Sequence, residues 1–309
     1  MNQPVETAPV DPEPRCGFIA LIGAPNAGKS TLINALVGTK VAIVSHKVQT
    51  TRALLRAIAT VGEAQLVFID TPGIFAPKRR LDRAMVTNAW AGAQDADITA
   101  LLIDAKHGLD EDTDALFAKL AEVGGAKVLL INKVDLVDKP TLLALARAAN
   151  EKAAFEATFM ISALTGDGVA DVRRWLAAHV PAGPWHYPED QITDAPLRQL
   201  AAEITREKLY LRLHQELPYQ STVETEQWKE LRDGSTRIEQ TIYVERESQR
   251  KIVLGKGGAT IKAIGADARR DIAEMVEGPV HLFLFVKVRE RWSDDPERYR
   301  EMGLEFPKD

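Results

Sequence analysis

Residues 23–31 read Gly23-Ala24-Pro25-Asn26-Ala27-Gly28-Lys29-Ser30-Thr31, a GxxxxGK[ST] spacing entered from an apolar run at 17–22 and left by an amphipathic stretch at 32–37. A strand that turns through glycines into a helix gathers backbone N–H groups and a helix N-terminus around one point, which is chemistry for a phosphate. Gly23 and Gly28 leave that approach open, Lys29 is placed to bridge β- and γ-phosphates, and the Ser30 hydroxyl is placed to ligate Mg²⁺. Asp70-Thr71-Pro72-Gly73 ends a second apolar run, 41 residues beyond Lys29. A carboxylate there can hold Mg²⁺ directly or through water, and the Gly73 N–H can sense a γ-phosphate. Asn132-Lys133-Val134-Asp135 closes a third run. The Asp135 carboxylate can accept hydrogen bonds from both the N1–H and the exocyclic amine of guanine, a donor pair that adenine lacks, while the Lys133 stem can cover the base. Ser162-Ala163-Leu164 follows a fourth run, with the Ala163 N–H expected to reach guanine O6. In this order the four motifs predict a GTP/GDP site with Mg²⁺. A P-loop kinase of metabolism would share the first motif, but Asp135 argues against it.

A second chemistry lies near the other end. Gly255-Lys256-Gly257-Gly258 is a GxxG turn opening a helical stretch, with Ile261 and Ile264 on the predicted inner face. Glycines let a sugar-phosphate backbone pass closer than a Cβ would allow. From Arg246 to Arg270 there are seven basic residues against two acidic ones. Arg250, Lys251, Lys256 and Lys262 are the cations nearest the glycines, so Arg250, Lys251, Gly255, Lys256, Gly257, Gly258 and Lys262 form the expected contact set for single-stranded RNA.

The elements that must hold these groups are legible as alternating runs. Apolar strands are expected at 17–22, 66–70, 98–104, 127–131 and 158–161, with helices at 82–93, 114–122 and 169–179 between them. Strands apolar on both faces and separated by helices predict a mostly parallel α/β sheet. A less apolar strand at 54–60, joined to the next by a short turn at Gly62, predicts an antiparallel edge hairpin. Prolines at 181, 184, 188 and 196 break the pattern. Beyond them come a helix (196–216), strands (221–228 and 236–245), a helix (256–276), a strand (280–288) and a polar tail. With a second short helix before the last strand, this is an α+β domain of order α-β-β-α-α-β. The expected division is a tail at 1–14, a nucleotide domain at 15–182, a linker at 183–198 and an RNA-binding domain with its tail at 199–309.

Composition agrees. At about 150 residues per domain, 309 residues suggest two. Hydrophobic residues are 45% and charged ones 27%, ordinary for a globular chain. The net charge of −5 gives no global pull toward nucleic acid, so binding must come from a local patch. The one cysteine, Cys16, excludes an intrachain disulfide and a cysteine zinc cluster. No apolar run reaches the ~18 residues of a membrane span. The Pro-rich, acidic opening reads as a disordered tail and not a signal peptide.

Between the first two motifs stands Val48-Gln49-Thr50-Thr51-Arg52. With GxxxxGKS, DTPG, NKxD and SA in order, this QTTR segment resembles the Era family of translation-factor-related GTPases, and the GxxG half resembles a type II KH domain placed as that family places it. The resemblance covers about residues 16–307. It implies that Thr51, or else Thr50, contacts Mg²⁺ and the γ-phosphate in a switch I loop, and that Lys29, Thr51 and Gly73 surround the reacting phosphate. It implies binding to the 3′ end of 16S ribosomal RNA, action in assembly of the small ribosomal subunit, and a monomeric cytoplasmic protein with part of it peripheral on the inner face of the cell membrane. The alternative is a membrane-surface GTPase signalling in cell-cycle or division control. Asn26 matches an asparagine that holds K⁺ in some related GTPases. Ile74 stands where Ras-like proteins carry a water-orienting glutamine, so slow intrinsic turnover is expected.

Overall fold

The computed structural model describes residues 13–44, 55–75, 77, 79–213, 217–290, 292 and 295–307. The order begins β1 (Arg15–Gly23), α1 (Lys29–Val37), β2 (Leu55–Val61), β3 (Ala64–Asp70), α2 (Arg80–Asp95), β4 (Ile98–Asp104) and α3 (Glu111–Leu120). It continues with β5 (Ala126–Asn132), α4 (Lys139–Lys152), β6 (Ala157–Met160) and α5 (Val169–His179). These build a six-stranded sheet ordered β2-β3-β1-β4-β5-β6, parallel except for β2, which pairs antiparallel with β3.

Side-chain alternation divides the core between the two faces of this sheet. Ile19 and Leu21 of β1 point to one side with Leu66, Phe68, Leu102 and Leu130, under α1 and α5. Ala20 and Ile22 point to the other with Leu101, Ile103, Leu129 and Ile131, under α2, α3 and α4. Each Leu or Ile buried this way contributes about 1.5–3 kcal/mol. Helix α4 is not among the helices expected from the sequence; it buries Leu142, Leu145 and Ala149 on one face and is started by Asp138, whose carboxylate accepts the Thr141 N–H at 3.1 Å, with a proline in its first turn.

The proline-rich connector forms no helix or named strand, as its composition requires, yet it is held against the sheet. The Ile58 N–H donates to Ile192 O at 2.9 Å, and the Gln65 side chain, fully buried, accepts the His186 and Tyr187 N–H groups at 3.0 Å each. The connector thereby covers the edge strand β2, which would otherwise expose an unpaired ladder.

Next come α6 (Leu197–Arg212), β7 (Ser221–Glu230), β8 (Thr236–Val244), α7 (Glu247–Leu254), α8 (Ala259–Met275) and β9 (Val280–Val288). Strands β7 and β8 form an antiparallel hairpin, and β9 runs parallel to β8. The order α-β-β-α-α-β is that of a type II KH domain. The additional helix lies ahead of the glycine turn, as α7, so that turn joins two helices; the longer one begins at Ala259 and not at 256. The tail is not simply polar and solvated. It contains α9 (Pro296–Glu301), and Trp292, Tyr299 and Leu304 are buried.

Candidate functional site

All four nucleotide motifs lie at the carboxyl ends of parallel strands β1, β3, β5 and β6, along one edge of the sheet. Gly28, at the N-terminus of α1, has φ 103°, and a Cβ there would stand 2.2 Å from Asn132 Nδ2, so both backbone and space demand glycine. Lys29 is buried, its Nζ folded back to donate to Gly23 O at 3.0 Å and Ala24 O at 2.9 Å. Burial pushes its pKa down to about 8, opposed by the nearby Asp70 carboxylate. A poorly solvated ammonium over a helix N-terminus is complementary to a phosphate group.

Asp70 ends β3, buried, with Oδ2 3.5 Å from Ser30 Oγ. Two oxygen donors of this kind, close together beside the phosphate loop, suit a hard divalent cation such as Mg²⁺. Thr71 is fully buried and its Oγ1 donates to Leu21 O at 2.5 Å, so its side chain serves the β1–β3 junction. The following segment lies against the phosphate loop: the Ile74 N–H donates to Gly23 O at 3.1 Å, and a Cβ on Gly73 would stand 2.9 Å from Pro25 Cα. Ile74 packs on the apolar core. Thr50 and Thr51 lie outside the described residues.

Asn132 is a buried crosslink. Its Nδ2 donates to Ala27 O at 2.8 Å and its Oδ1 accepts the Ala163 N–H at 2.9 Å, fixing the loop after β6 to the phosphate loop. The Ala163 N–H expected to reach guanine O6 is therefore engaged by Asn132, because that amide lies between the two loops. Lys133, at φ 66°, donates to Asn26 O at 2.8 Å and pairs with Asp104 Oδ2 at 2.7 Å. Burial would push the Asp104 carboxyl up, but hydrogen bonds from Lys133, His107 and the Lys106 N–H outweigh it and hold the group below its ordinary value. No motif points to Asp104; the signal that could have found it is the one that marks Asp70, an aspartate ending an apolar strand. Asp135 is exposed in the 3₁₀ turn Val134–Leu136, and Leu164 is exposed beyond Ser162.

In the second domain the turn between α7 and α8 has φ 70°, 61° and 78° at Gly255, Gly257 and Gly258. Beside it, between α8 and β9, runs a groove of about 290 Å³ floored by Ile261, Gly265, Leu282 and Leu284 and edged by Lys262 and Arg269. An apolar floor with a cationic rim accommodates bases along one strand of nucleic acid. Lys251, Lys256 and Lys262 are exposed around it. Arg250 is engaged within the domain, pairing with Glu247 at 2.8 Å and donating to Val286 O at 3.2 Å, so it is less available than expected. Arg269 joins the rim in its place.

Two family profiles match the chain in turn: one described as a 50S ribosome-binding GTPase over residues 18–133, and a KH domain over residues 216–293. The chain is 72% identical over 295 residues to GTPase Era of Afipia carboxidovorans and 68% identical over 293 residues to GTPase Era of Brucella suis, covering at least 94% of either partner in both comparisons. Among solved structures, it superposes with a TM-score of 0.89 and 35% identity on Era in complex with MgGDPNP and nucleotides 1506–1542 of 16S ribosomal RNA, covering 94% of this chain and 99% of that one. A point variant of Aquifex aeolicus Era bound to GDP·AlF₄⁻ gives the same TM-score, identity and coverage. With the phosphate loop, the NKxD strand end and the glycine-turn groove carried on one such framework, the chain belongs to the Era family of GTPases.

Proposed function

We propose that this protein is a GTP-hydrolysing switch that binds the 3′ end of 16S ribosomal RNA and acts in maturation of the small ribosomal subunit. The observation that carries the reading is the pairing, on one chain, of an inward-held Lys29 in a strand–glycine–helix loop with a cation-edged groove at a GxxG turn. A relative of the same architecture holds both a GTP analogue with Mg and that RNA.

Residues 23–31 hold the phosphates, with Lys29 neutralising the β/γ region and the Gly73 N–H directed at the γ-phosphate. Ser30, Asp70 and Thr51 hold Mg²⁺, which neutralises charge on the phosphate oxygens. Asp135 reads guanine, and Asn132 keeps the base-side loop in register with the phosphate loop. Hydrolysis adds water to the γ-phosphorus and breaks its bond to the bridging oxygen, releasing GDP and phosphate. Ile74, a partly buried apolar side chain packed against the core, has no group to orient that water, so intrinsic turnover is slow; Asn26 offers an oxygen for K⁺ as an accelerating cation. The working units are 15–182 and 199–309, joined through 183–198. Nucleotide state alters how they dock, so RNA and nucleotide affinities are coupled, by about 1–3 kcal/mol in typical cases. A monomeric cytoplasmic state and peripheral membrane association rest on the family resemblance. No helix among the described residues is long and apolar enough to cross a membrane.

Crosslinking in cells followed by sequencing of the bound RNA tests the ribosomal part: the 3′ end of 16S RNA should dominate, and recovery of mainly messenger or transfer RNA overturns it. Titration with GTP against ATP tests the nucleotide part separately. Sedimentation with liposomes of varied anionic content tests the membrane association.

A further inference from the structure

The KH profile ends at residue 293, and the segment beyond it lies in neither family profile. That segment has a built seat. Trp292, Tyr299 and Leu304 are 1%, 1% and 4% exposed and form one cluster with Leu81, Ala84 and Met85 of α2, with Met302 and Phe306 packed around it. Leu81 and Met85 are one helical turn apart, so the seat is a single face of α2. Asn88 Nδ2 donates to Gly303 O at 2.8 Å, and the Arg80 guanidinium lies 5.0 Å above the Phe306 ring. The first residue of α2 is seven positions after Gly73, whose segment is pressed on the phosphate loop.

The other end of the segment reaches the start of α7. Trp292 Nε1 donates to Gln220 O at 3.0 Å, and the Gln220 side chain accepts from Gln249 Nε2. Gln249 Oε1 accepts the Glu245 and Arg246 N–H groups at 2.9 and 3.0 Å, which starts α7, the helix running into Gly255. A row of packed and hydrogen-bonded groups thus joins the start of α7, the helix that leads into the glycine turn, to the helix that follows Gly73.

We propose that Trp292 and residues 295–306 act as a strap through which RNA occupancy of the groove sets the position of α2, and with it the Gly73 segment placed to face the γ-phosphate. The proposal rests on the nucleotide–RNA coupling put forward above and names its carrier. The occupant of the α2 face is this chain's own C-terminal segment. Its apolar side chains are buried against that face, whereas the short helix α9, six residues long, has no stability of its own. The contact is therefore able to form and release as the two domains shift.

The test uses the full-length chain with Leu304→Asp and, from the opposite side, Ala84→Glu. The ratio of GTP to GDP affinity is measured with and without RNA of nucleotides 1506–1542 of 16S. In the wild type, RNA should shift this ratio by about 5- to 150-fold. In either variant the shift should collapse to less than about twofold, while RNA-free nucleotide affinity and nucleotide-free RNA affinity each stay within about twofold of wild type. A shift equal to wild type in the variants overturns the strap alone. No shift in the wild type overturns the coupling reading and the strap with it. Should both variants fail to fold, Asn88→Ala, which loses only the bond to Gly303, should reduce the shift, and an unchanged shift overturns the proposal. Hydrogen exchange gives an independent readout: amides at 80–90 should slow on RNA addition in the wild type and not in Leu304→Asp, and RNA-insensitive exchange in the wild type overturns it.

Discussion

Glu207 on α6 of the second domain and Lys40 just beyond α1 of the first meet at 2.6 Å, and the second carboxylate oxygen of Glu207 accepts the Val44 N–H at 2.9 Å. Lys208 and Asp271 complete the cluster, and the Glu207 side chain is only 4% exposed. Val44 stands seven residues before Thr51, so a side chain of the RNA-binding domain holds the base of the segment carrying the QTTR signature.

Removing Glu207 costs the Val44 N–H its acceptor and leaves Lys208 with Asp271 as its partner, while the partly exposed Lys40 returns to solvent, so Glu207→Ala should destabilise the full chain by about 1–2 kcal/mol, read by urea unfolding. Burial would raise the Glu207 pKa, but hydrogen bonds from Lys40, the Val44 N–H and Lys208 outweigh it and lower the value. A carboxyl lowered on folding contributes stability that is present above its ordinary value and lost as pH falls through the lowered one. Docking should accordingly hold at neutral pH and loosen on acidification below the usual glutamate range, as checked by small-angle scattering across pH; a Glu207→Gln chain should show a flatter acid response.

Lys29 gives a second pH dependence, of opposite sign. Its ammonium is destabilised by burial to a pKa of about 8, whereas a bound triphosphate favours the charged form. Nucleotide binding above that pH must take up a proton, so GTP affinity should fall about tenfold for each pH unit above about 8. Calorimetry in buffers of different ionisation heats should record proton uptake at pH 9 and almost none at pH 6.5. Equal uptake at both would contradict the role given to Lys29.

Base selection should follow Asp135. Asp135→Ala should lower GTP affinity by about 10²–10⁴-fold, because guanine then loses two hydrogen bonds to an ionised group. Asp135→Asn replaces an acceptor by a donor at one position and should move preference toward xanthosine triphosphate, which carries a carbonyl in place of the exocyclic amine. Equilibrium titration with both nucleotides checks this.

RNA affinity should respond to the groove rim in a sequence-independent way. Lys256→Ala and Lys262→Ala should each weaken single-stranded RNA binding by similar factors for different sequences and reduce the slope of log affinity against log salt by about 0.7. Leu284→Ser, which alters the groove floor, should change the ranking among sequences and leave the salt slope intact.

The motifs that mark the family were local enough to be read directly. GxxxxGKS, DTPG and NKxD each occupy a few consecutive residues at the end of an apolar strand, and continuous apolar runs separated by helix-length segments located those strands and most helices to within a few residues. Long-range consequences were not local. Asn132 reads as part of a base motif, yet only the approach of β1, β5 and β6 shows that its two amide atoms tie Ala27 to Ala163 and so engage the Ala163 N–H. Asp104, more than two dozen residues from Lys133, becomes its partner only when β4 and β5 pair side by side. The tail looked polar because Trp292, Tyr299 and Leu304 are scattered among charges with no steady period; their burial depends on a face of α2 some two hundred residues away. Hydrophobic patterning tells which residues seek cover, and only tertiary packing decides which surface provides it, since that choice is made between segments that share no sequence neighbourhood.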